Sequence, residues 1–181
     1  MQTLYWRRLD ADGYERLTLR QGPAGIVAHG TVITSADGGV ALEHNWRLTP
    51  DWRALSVTLR HIGGDNDPLT LDRTAAGWSV NGTRRPDLDG ADEPDLSLTP
   101  FCNTLAIRRL PLTPGATLTL DTAWIDGAAL TVTRSRQRYD RLDAKTVHYT
   151  DLGTSVGFEA DITTDAEGLV EIYEHLFERR D

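Results

Sequence analysis

Three arginines occupy alternate positions in the C-terminal half of the chain, Arg134, Arg136 and Arg138, and Tyr139 follows them directly. Alternate residues of a β-strand point to the same face of a sheet, so the three guanidinium groups should form a row. A guanidinium fork pairs well with phosphate, carboxylate or sugar head groups, so this row could bind the polar end of an amphiphile. The alternative is a solvent-exposed face whose arginines are balanced by acidic side chains on the neighbouring strand.

The turn before this row decides which side chains accompany the arginines. A two-residue turn at Asp126-Gly127 would place the apolar residues of the two strands on opposite faces, whereas a three-residue loop over 126–128 brings them together. The longer loop puts Trp124 opposite Leu130 and places Leu120 opposite Arg134. We therefore predict that the arginine row shares a face with Trp124, apolar at one end and cationic at the other.

Nucleophilic and acid–base residues are few. Cys102 could attack a substrate if a histidine activated it, but its apolar neighbours favour a small buried side chain. The five histidines show no H-x-x-x-H metal spacing: His29, His44, His61, His148 and His175. His44 and His61 fall on apolar strand faces, where a hydrogen-bonded core or rim histidine is the interpretation we favour over a pocket acid–base.

Acidic residues crowd one segment before the middle of the chain: Asp87, Asp89, Asp92, Glu93 and Asp95. The start of this segment resembles a calcium-binding loop, but Leu98 stands where the closing acidic ligand belongs. We predict a solvated turn whose last charges precede a helix, and no metal site.

Composition limits the classes of protein to consider. The chain of 181 residues has a formal net charge of −8 and one cysteine. The length suits one domain, residues 1–181, with a hydrophobic core. Net negative charge weighs against a nucleic-acid partner, and a lone cysteine excludes an internal disulfide. No cofactor is predicted.

Targeting signals are not apparent in the sequence. Residues 1–10 lack an apolar run of the kind that a signal peptide carries behind its basic residues. A bilayer-spanning helix needs about 18 consecutive apolar residues, and no such run occurs. We therefore expect a cytoplasmic protein without a transmembrane segment.

The elements that must position these residues are mostly strands. Apolar and polar residues alternate in many short segments separated by Gly, Asn and Asp turns, which predicts an antiparallel sheet. These segments are Leu4–Leu9, Tyr14–Arg20, Gly25–Thr34, Leu42–Leu48, Leu55–His61, Leu69–Arg73, Trp78–Asn81, Lys145–Tyr149, Ser155–Ile162 and Leu169–Tyr173.

One segment has the pattern of a helix instead. Thr99 is a suitable N-cap, Pro100 suits the first helical position, and Pro111 ends the element. Apolar residues cover most of the circumference between them, and a helix that is apolar nearly all round is a buried helix. The pattern therefore predicts one short helix enclosed by a large sheet.

The segments around this helix carry a family resemblance. They are Leu88-Asp89-Gly90, Asp95-Leu96-Ser97, Thr99-Pro100-Phe101, Asn103-Thr104-Leu105 and Ile107-Arg108-Arg109-Leu110. A second block is Gln137-Arg138-Tyr139 with Arg141-Leu142, and likeness continues at Trp46, Trp52-Arg53 and Gly168-Leu169-Val170. Together they resemble the putative glycolipid-binding family, formerly a domain of unknown function.

This resemblance implies a spiral β-roll, a long antiparallel sheet wrapped around one α-helix, often dimeric and similar to bacterial lipoprotein carriers. It also implies binding of a glycolipid or other lipid-like molecule. The residues that match the family motifs are Phe101, Asn103, Arg108, Arg109, Arg138 and Tyr139. The same residues could fix the helix to the sheet, and for Arg108 and Arg109 we favour that role because buried charges need partners.

The sequence thus predicts a mainly β spiral roll around a single short helix. It predicts non-enzymatic binding of a glycolipid or lipid-like amphiphile in a groove of the roll, in a possible homodimer. The candidate ligand-binding residues are Arg134, Arg136, Arg138, Tyr139, Trp124, Phe101, Asn103, Arg108 and Arg109. Two alternatives stay open: a small hydrolase that uses a pocket histidine or carboxylate, and a ligand-free structural dimer.

Overall fold

A computed structural model describes residues 1–65 and 67–180. The strands in this part of the chain are β1 Gln2–Arg8, β2 Gly13–Gly22, β3 Gly25–Thr34, β4 Val40–Leu48, β5 Ala54–His61, β6 Leu69–Thr74, β7 Gly77–Val80, β8 Thr83–Arg84, β9 Ala91–Leu96, β10 Thr117–Asp126, β11 Thr131–Arg141, β12 Thr146–Asp151, β13 Glu159–Thr164, β14 Val170–Tyr173 and β15 Phe177–Arg180. The α-helix is α1, Phe101–Ile107, and 3₁₀ turns occupy Ala36–Gly38 and Pro86–Leu88.

All fifteen strands form one sheet, in the order β8-β7-β6-β5-β4-β3-β2-β1-β15-β14-β13-β12-β11-β10-β9. Strands β1 to β8 form one meander and β9 to β15 another, and the pairing of β1 with β15 joins them. Neighbouring strands are antiparallel except for β9 and β10, which are parallel. The predicted long sheet is confirmed.

The two edges of the sheet lie close in the sequence, and this shapes the roll. Strand β8 ends at Arg84 and β9 begins at Ala91, so a short segment joins the sheet's first edge to its last. The Trp78 indole N–H donates to the Ala91 carbonyl at 2.9 Å across this junction. The sheet therefore curls until its edges meet without pairing, and it encloses the helix.

Helix α1 is buried along its whole length, as its apolar circumference predicted: all seven of its residues are buried. The Phe101 ring packs edge-on against Trp46, with ring centroids 5.7 Å apart, and lies 6.3 Å from Trp52. Burial of large aromatic side chains is the main favourable term in such a core. The helix is thus held by contacts with the inner face of the roll.

A buried polar cluster attaches the start of the helix to the N-terminal meander. The Thr99 hydroxyl accepts the Phe101 N–H at 3.1 Å and donates to Glu15 Oε1 at 2.8 Å. His44 Nε2 lies 3.0 Å from the same oxygen, and His44 Nδ1 accepts the Trp46 indole N–H at 2.8 Å. The favoured interpretation of His44 as a hydrogen-bonded core histidine is confirmed.

Gly30 leaves space for this cluster. A Cβ at Gly30, which pairs with His44 across β3 and β4, would lie 2.1 Å from the His44 ring. Glycine in a strand often marks such a close approach. The sequence places it where the imidazole needs the room.

The acidic segment differs from the prediction of a solvated turn. Asp87 and Asp89 are exposed, but Glu93 lies within β9 and is 2% exposed. Arg53 Nε lies 2.6 Å from Glu93 Oε1, and the Ala54 N–H donates to Glu93 Oε2 at 2.8 Å. The prediction failed because β9 places a carboxylate, rather than an apolar residue, at an inward position.

The predicted hairpin register is wrong. The loop between β10 and β11 has four residues, 127–130, because Asp126 Oδ1 accepts the N–H groups of residues 128 and 129 and Leu130 turns back with φ 52°. Trp124 therefore faces Thr133 and Ala123 faces Arg134. A shift by an odd number of residues transfers a strand's side chains to the other face. The arginine row and Trp124 lie on opposite faces.

The strand predicted over 155–162 begins later than expected. Strand β13 starts at Glu159, and Val156 lies in the preceding loop, 75% exposed. Asp151 Oδ1 accepts the N–H groups of Gly153 and Ser155, which closes that loop as a turn. A side chain that satisfies nearby backbone donors competes with sheet pairing.

We expect Thr99→Val to destabilise the protein by about 2–3 kcal/mol. The N-cap of α1 is Pro100 and not Thr99 as predicted, but the substitution still removes the hydroxyl that accepts the Phe101 N–H and donates to the buried Glu15 carboxylate, while side-chain volume is kept. Of its two side-chain contacts in the described part of the chain, Glu15 would retain the one with His44. Urea unfolding followed by circular dichroism measures the change.

Thr119→Val is the matched control, because Thr119 is exposed on the outer face of β10. It should change stability by less than about 0.5 kcal/mol. Equal effects of the two substitutions would contradict the role given to the Glu15–Thr99 hydrogen bond.

Candidate functional site

A pocket of about 270 Å³ opens beside the first turn of α1, in the half of the roll built by β9 to β15. We call it the aromatic pocket. The described residues that line it are Asp95, Leu96, Ser97, Thr99, Asn103, Trp124, Tyr149, Asp151, Ser155, Phe158, Tyr173, Leu176 and Phe177.

The elements around the pocket explain why these side chains converge. Inward positions of β10, β12 and β14 supply Trp124, Tyr149 and Tyr173, because alternate residues of each strand face the interior of the roll. Strand β9 ends at the pocket with Asp95, and the helix contributes Asn103 from its first turn. The pocket is therefore a gap between the helix and the inner face of the sheet.

Four aromatic rings form a wall of this pocket. The Tyr149 ring lies 5.8 Å from Tyr173 and 6.1 Å from Phe158, and Tyr173 lies 6.4 Å from Phe177, between ring centroids. Edge-on and tilted contacts of this kind hold rings rigidly. The wall presents apolar surface whose rings pack against one another.

The Asp95 carboxylate is the charged group at the base of the pocket. Its Oδ1 accepts the Cys102 thiol proton at 2.9 Å, and its Oδ2 accepts a hydrogen bond from the Gln137 amide. Burial raises the pKa of Asp95, the two hydrogen bonds oppose that rise, and the negative Asp151 adds to it. Each carboxylate oxygen keeps acceptor capacity beyond its one protein donor.

A second layer of polar groups holds Asp95 and Asn103 in place. The Tyr139 hydroxyl lies 2.9 Å from Asn103 Oδ1 and 3.1 Å from Gln137 Oε1, so its proton can serve either oxygen. Burial raises the pKa of Tyr139 well above its usual value, so the phenol stays protonated. The network therefore links the helix to β11 and β9.

Asp151 is bound differently. Its Oδ2 accepts the Tyr149 hydroxyl proton at 3.3 Å, and its Oδ1 accepts the two backbone N–H groups of the following turn. The Asp151 carboxylate thus stabilises the turn that leads to Phe158 through these hydrogen bonds. Burial raises the pKa of Tyr149, so this phenol also stays a neutral donor.

The charge of the pocket decides what it can bind. Its described lining includes two carboxylates and no lysine, arginine or histidine. Carboxylate and amide acceptors beside aromatic rings suit hydroxyl-bearing neutral molecules, whereas an anion would be repelled. The arrangement suits a sugar or another polyol.

Comparison with known proteins agrees with the resemblance found in the sequence. The family model described as putative glycolipid-binding matches residues 3–179. The chain belongs to this family. A match over nearly the whole chain confirms the predicted family.

A solved structure of another protein has a fold similar to that of this family member. A DUF1089 family protein from Pseudomonas aeruginosa, seen in a crystal structure at 1.80 Å resolution, shares 29% sequence identity with it. The similarity covers 92% of each chain with a TM-score of 0.78.

Comparison with curated proteins gives no match. Over residues 1–65 and 67–180, no helix has the length and apolar character to cross a membrane.

Three of the predicted ligand-binding residues meet at the aromatic pocket. Trp124 and Asn103 line it, and Tyr139 lies beneath it, hydrogen-bonded to Asn103. Trp124 reaches the pocket because the true register turns it inward, away from the arginine row.

The arginine row lies on the outer face of β11, away from the pocket. Arg134 pairs with Asp121, and Arg138 Nε lies 2.9 Å from Asp140 Oδ2. Arg136 is exposed and faces Asp121 across the strands. This is the solvent face balanced by acidic side chains that we considered as the alternative.

The remaining predicted residues serve the helix. Phe101 is fully buried in the core. Arg109 Nη2 lies 3.3 Å from Asp92, and the Arg108 guanidinium stacks 4.3 Å from the Trp52 ring. Both contacts agree with the scaffold role that we favoured for the two arginines.

The residues that give the pocket its character are absent from the predicted ligand-binding set. The sequence pattern places Asp95 among solvated acidic residues, and it predicts Tyr149 and Tyr173 only as strand residues. The pattern assigned neither tyrosine to a face of the sheet. What it could not show is that their strands converge on the end of β9.

The histidines that we considered as acid–base groups lie elsewhere. His44 is in the core, and His61 Nε2 contacts the Gly127 carbonyl at 2.9 Å. Cys102 is buried below Asp95, as its apolar neighbours indicated.

We expect Cys102 to react slowly with thiol reagents in the folded protein. Burial, together with the negative charge of Asp95, raises the pKa of the Cys102 thiol well above its usual value, and the thiolate is the reactive form. The rate of modification by dithiobis(nitrobenzoate) at pH 8 should be at least about 100-fold lower than in urea. Equal rates in the two states would contradict this environment.

Proposed function

We propose that this protein binds the neutral sugar head group of a glycolipid, or another polyol-bearing amphiphile, in the aromatic pocket. The observation that carries the proposal is the Asp95 carboxylate, fixed by Cys102 and Gln137 at the base of a pocket walled by aromatic rings. Membership of a family described as glycolipid-binding supports the same ligand class.

The aromatic wall supplies the apolar part of this recognition. The C–H face of a sugar ring can lie against Trp124, Phe158 or Tyr173, which removes apolar surface from water. Because the rings already pack against one another, little side-chain entropy is lost on binding. This contact selects ring-shaped polyols over linear polar molecules.

The polar base supplies specificity. Sugar hydroxyls can donate to Asp95, whose charge strengthens each hydrogen bond. The Asn103 amide sits beside it with its own position fixed by Tyr139. A ligand without hydroxyl donors would leave Asp95 desolvated and unpaired, at a cost of roughly 1–3 kcal/mol.

The size of the pocket limits the part of the ligand that it holds. Pockets for drug-sized ligands span about 300–1,000 Å³, and the volume here is about 270 Å³. That leaves room for one sugar ring and not for a whole glycolipid. We therefore place the alkyl part of the ligand outside the pocket.

Hydrolysis is the second candidate function, because two aspartates line the pocket and Asp95 has a raised pKa. A general acid at neutral pH needs such a rise. However, Asp151 is engaged by backbone N–H groups and Tyr149, so we propose binding without reaction.

We expect isothermal titration calorimetry with octyl β-glucoside to show binding that Asp95→Asn and Trp124→Ala each weaken by about tenfold or more. The first change removes a charged acceptor and the second removes an aromatic face. Asp37→Asn, at an exposed 3₁₀ turn, is the control and should bind like the wild type.

Two results would separate the candidates in this titration. Release of octanol and glucose by the wild type but not by Asp95→Asn would establish the hydrolase. Wild-type affinity in both pocket variants would contradict a ligand site in the aromatic pocket.

Homodimerisation, which the family resemblance predicts, can be tested at the outer face of β1 to β3. Tyr5, Tyr14 and Ile33 are exposed there as apolar side chains. If this face joins two copies, Ile33→Arg should reduce the mass measured by light scattering to that of one 20.1 kDa chain. Ile172→Arg, on the exposed side of β14, should keep the dimer mass. A wild-type monomer would contradict the dimer.

The cytoplasmic location stays a prediction from the sequence.

A further inference from the structure

A second groove, of about 410 Å³, begins at the other end of α1 and has the opposite charge. We call it the cationic groove. The described residues that line it are Ile107, Arg108, Leu110, Leu112, Arg141, Ala144, Lys145, Thr164, Asp165, Ala166, Glu167 and Gly168.

Arg141 is the unusual residue in this groove. It is only 3% exposed, and no carboxylate oxygen among residues 1–65 and 67–180 lies within 4.0 Å of its guanidinium nitrogens. Its Nε and Nη2 point to the carbonyls of Pro111 and Ile107, each at a long 3.4 Å. A buried cation without a counter-ion is costly, so a charge supplied from the groove would be favourable.

The helix offsets part of this charge. Ile107 ends α1, and the partial negative charge at a helix C-terminus stabilises a nearby cation. Burial still lowers the pKa of Arg141, which the negative Asp143 only partly opposes. The Ile107 carbonyl at the helix end and the Pro111 carbonyl beyond it therefore account for two nitrogens of Arg141, and its Nη1 donates to no atom of the described residues.

Two further cations of the described chain face the same groove and form no ion pair within 4.0 Å. Arg108 and Lys145 are exposed, and neither lies within 4.0 Å of a carboxylate in the described chain. Most other arginines of the protein do have such a partner, including Arg109 and Arg179. The cationic groove thus contains several basic side chains that form no ion pair with a described carboxylate.

The acidic residues of the groove do not cancel this charge. Asp165 Oδ2 lies 2.7 Å from Arg179, and Asp165 Oδ1 accepts the N–H groups of Glu167 and Leu169. Glu167 binds Arg108 through its backbone carbonyl and not through its carboxylate. The negative charges of Glu167 and Asp165 still act on Arg108 from beyond ion-pair distance, but the basic side chains of the groove outnumber its carboxylates.

The rest of the groove is apolar. Ile107 and Leu110 form its inner wall, and Leu112 stands at the rim with 72% of its surface exposed. An exposed leucine next to unpaired cations suits a ligand that is apolar along its length and anionic at its end. The guanidinium fork matches the two oxygens of a carboxylate.

We propose that the cationic groove is a second ligand site, which binds a long-chain carboxylate such as a fatty acid. Arg141 and Arg108 hold the carboxylate, Lys145 adds charge at the rim, and the chain lies along Ile107, Leu110 and Leu112. The proposal is independent of the aromatic pocket, whose ligand is neutral.

The test is titration calorimetry with decanoate as the probe. The wild type should bind decanoate, and both Arg141→Gln and the double variant R108Q/K145Q should weaken binding by about tenfold or more, since charged hydrogen bonds are lost. Arg47→Gln is the control, because Arg47 is exposed on β4 and, among residues 1–65 and 67–180, no carboxylate lies within 4.0 Å of it. It should leave the affinity unchanged.

Three comparisons keep the outcome decisive. Circular dichroism is measured for Arg141→Gln and for R108Q/K145Q, and each variant that is folded carries the test. Asp95→Asn should bind decanoate normally, which separates this site from the aromatic pocket. Competition by acetate as strong as by decanoate, unchanged affinity in the groove variants, or no binding to the wild type would each overturn the proposal.

Discussion

Enclosure of one short helix is the constraint on which the rest of the structure depends. A helix of seven residues is too short to be stable alone, so its formation relies on packing around it. Every one of its residues is buried, and a flat sheet could cover only one side. The strands must therefore wrap around it, and the short connection between β8 and β9 brings the two sheet edges together to complete the enclosure.

The same constraint creates two open ends with different chemistry. At the start of the helix, Asp95 and Asn103 meet the aromatic side chains of β12 to β15. At its end, the carbonyl of Ile107 is bound by Arg141, and the basic side chains collect there. Because the helix fills the space between them, the two pockets are separate. A neutral polyol suits the first and an anionic chain the second.

Much of the fold follows from the sequence pattern. Alternation located the N-terminal strands because their inward positions carry apolar residues such as Trp46 and Leu59, and the apolar circumference of Phe101–Ile107 identified a buried helix. The pattern failed where polar side chains face inward. Strand β9 carries Glu93 toward the core, and the loop after β10 gained a residue because Asp126 binds two of its N–H groups.

The residues of the aromatic pocket could be predicted from the sequence less well than the strands and the helix. Its residues come from strands far apart in sequence, and only their pairing brings Asp95, Tyr149 and Tyr173 together. A single change of register moved the arginine row to the outer face and Trp124 to the pocket. Arginines on alternate positions resemble a head-group site in sequence, but here acidic residues on the same face neutralise them.

The most direct test of the central claim is mass spectrometry of an organic extract of the protein purified from its native cells, with Trp124→Ala as the matched sample. The account predicts a sugar-bearing amphiphile in near-equimolar amount in the wild type and its loss from the variant. An extract with no such molecule, or the same amount from both proteins, would contradict binding at the aromatic pocket.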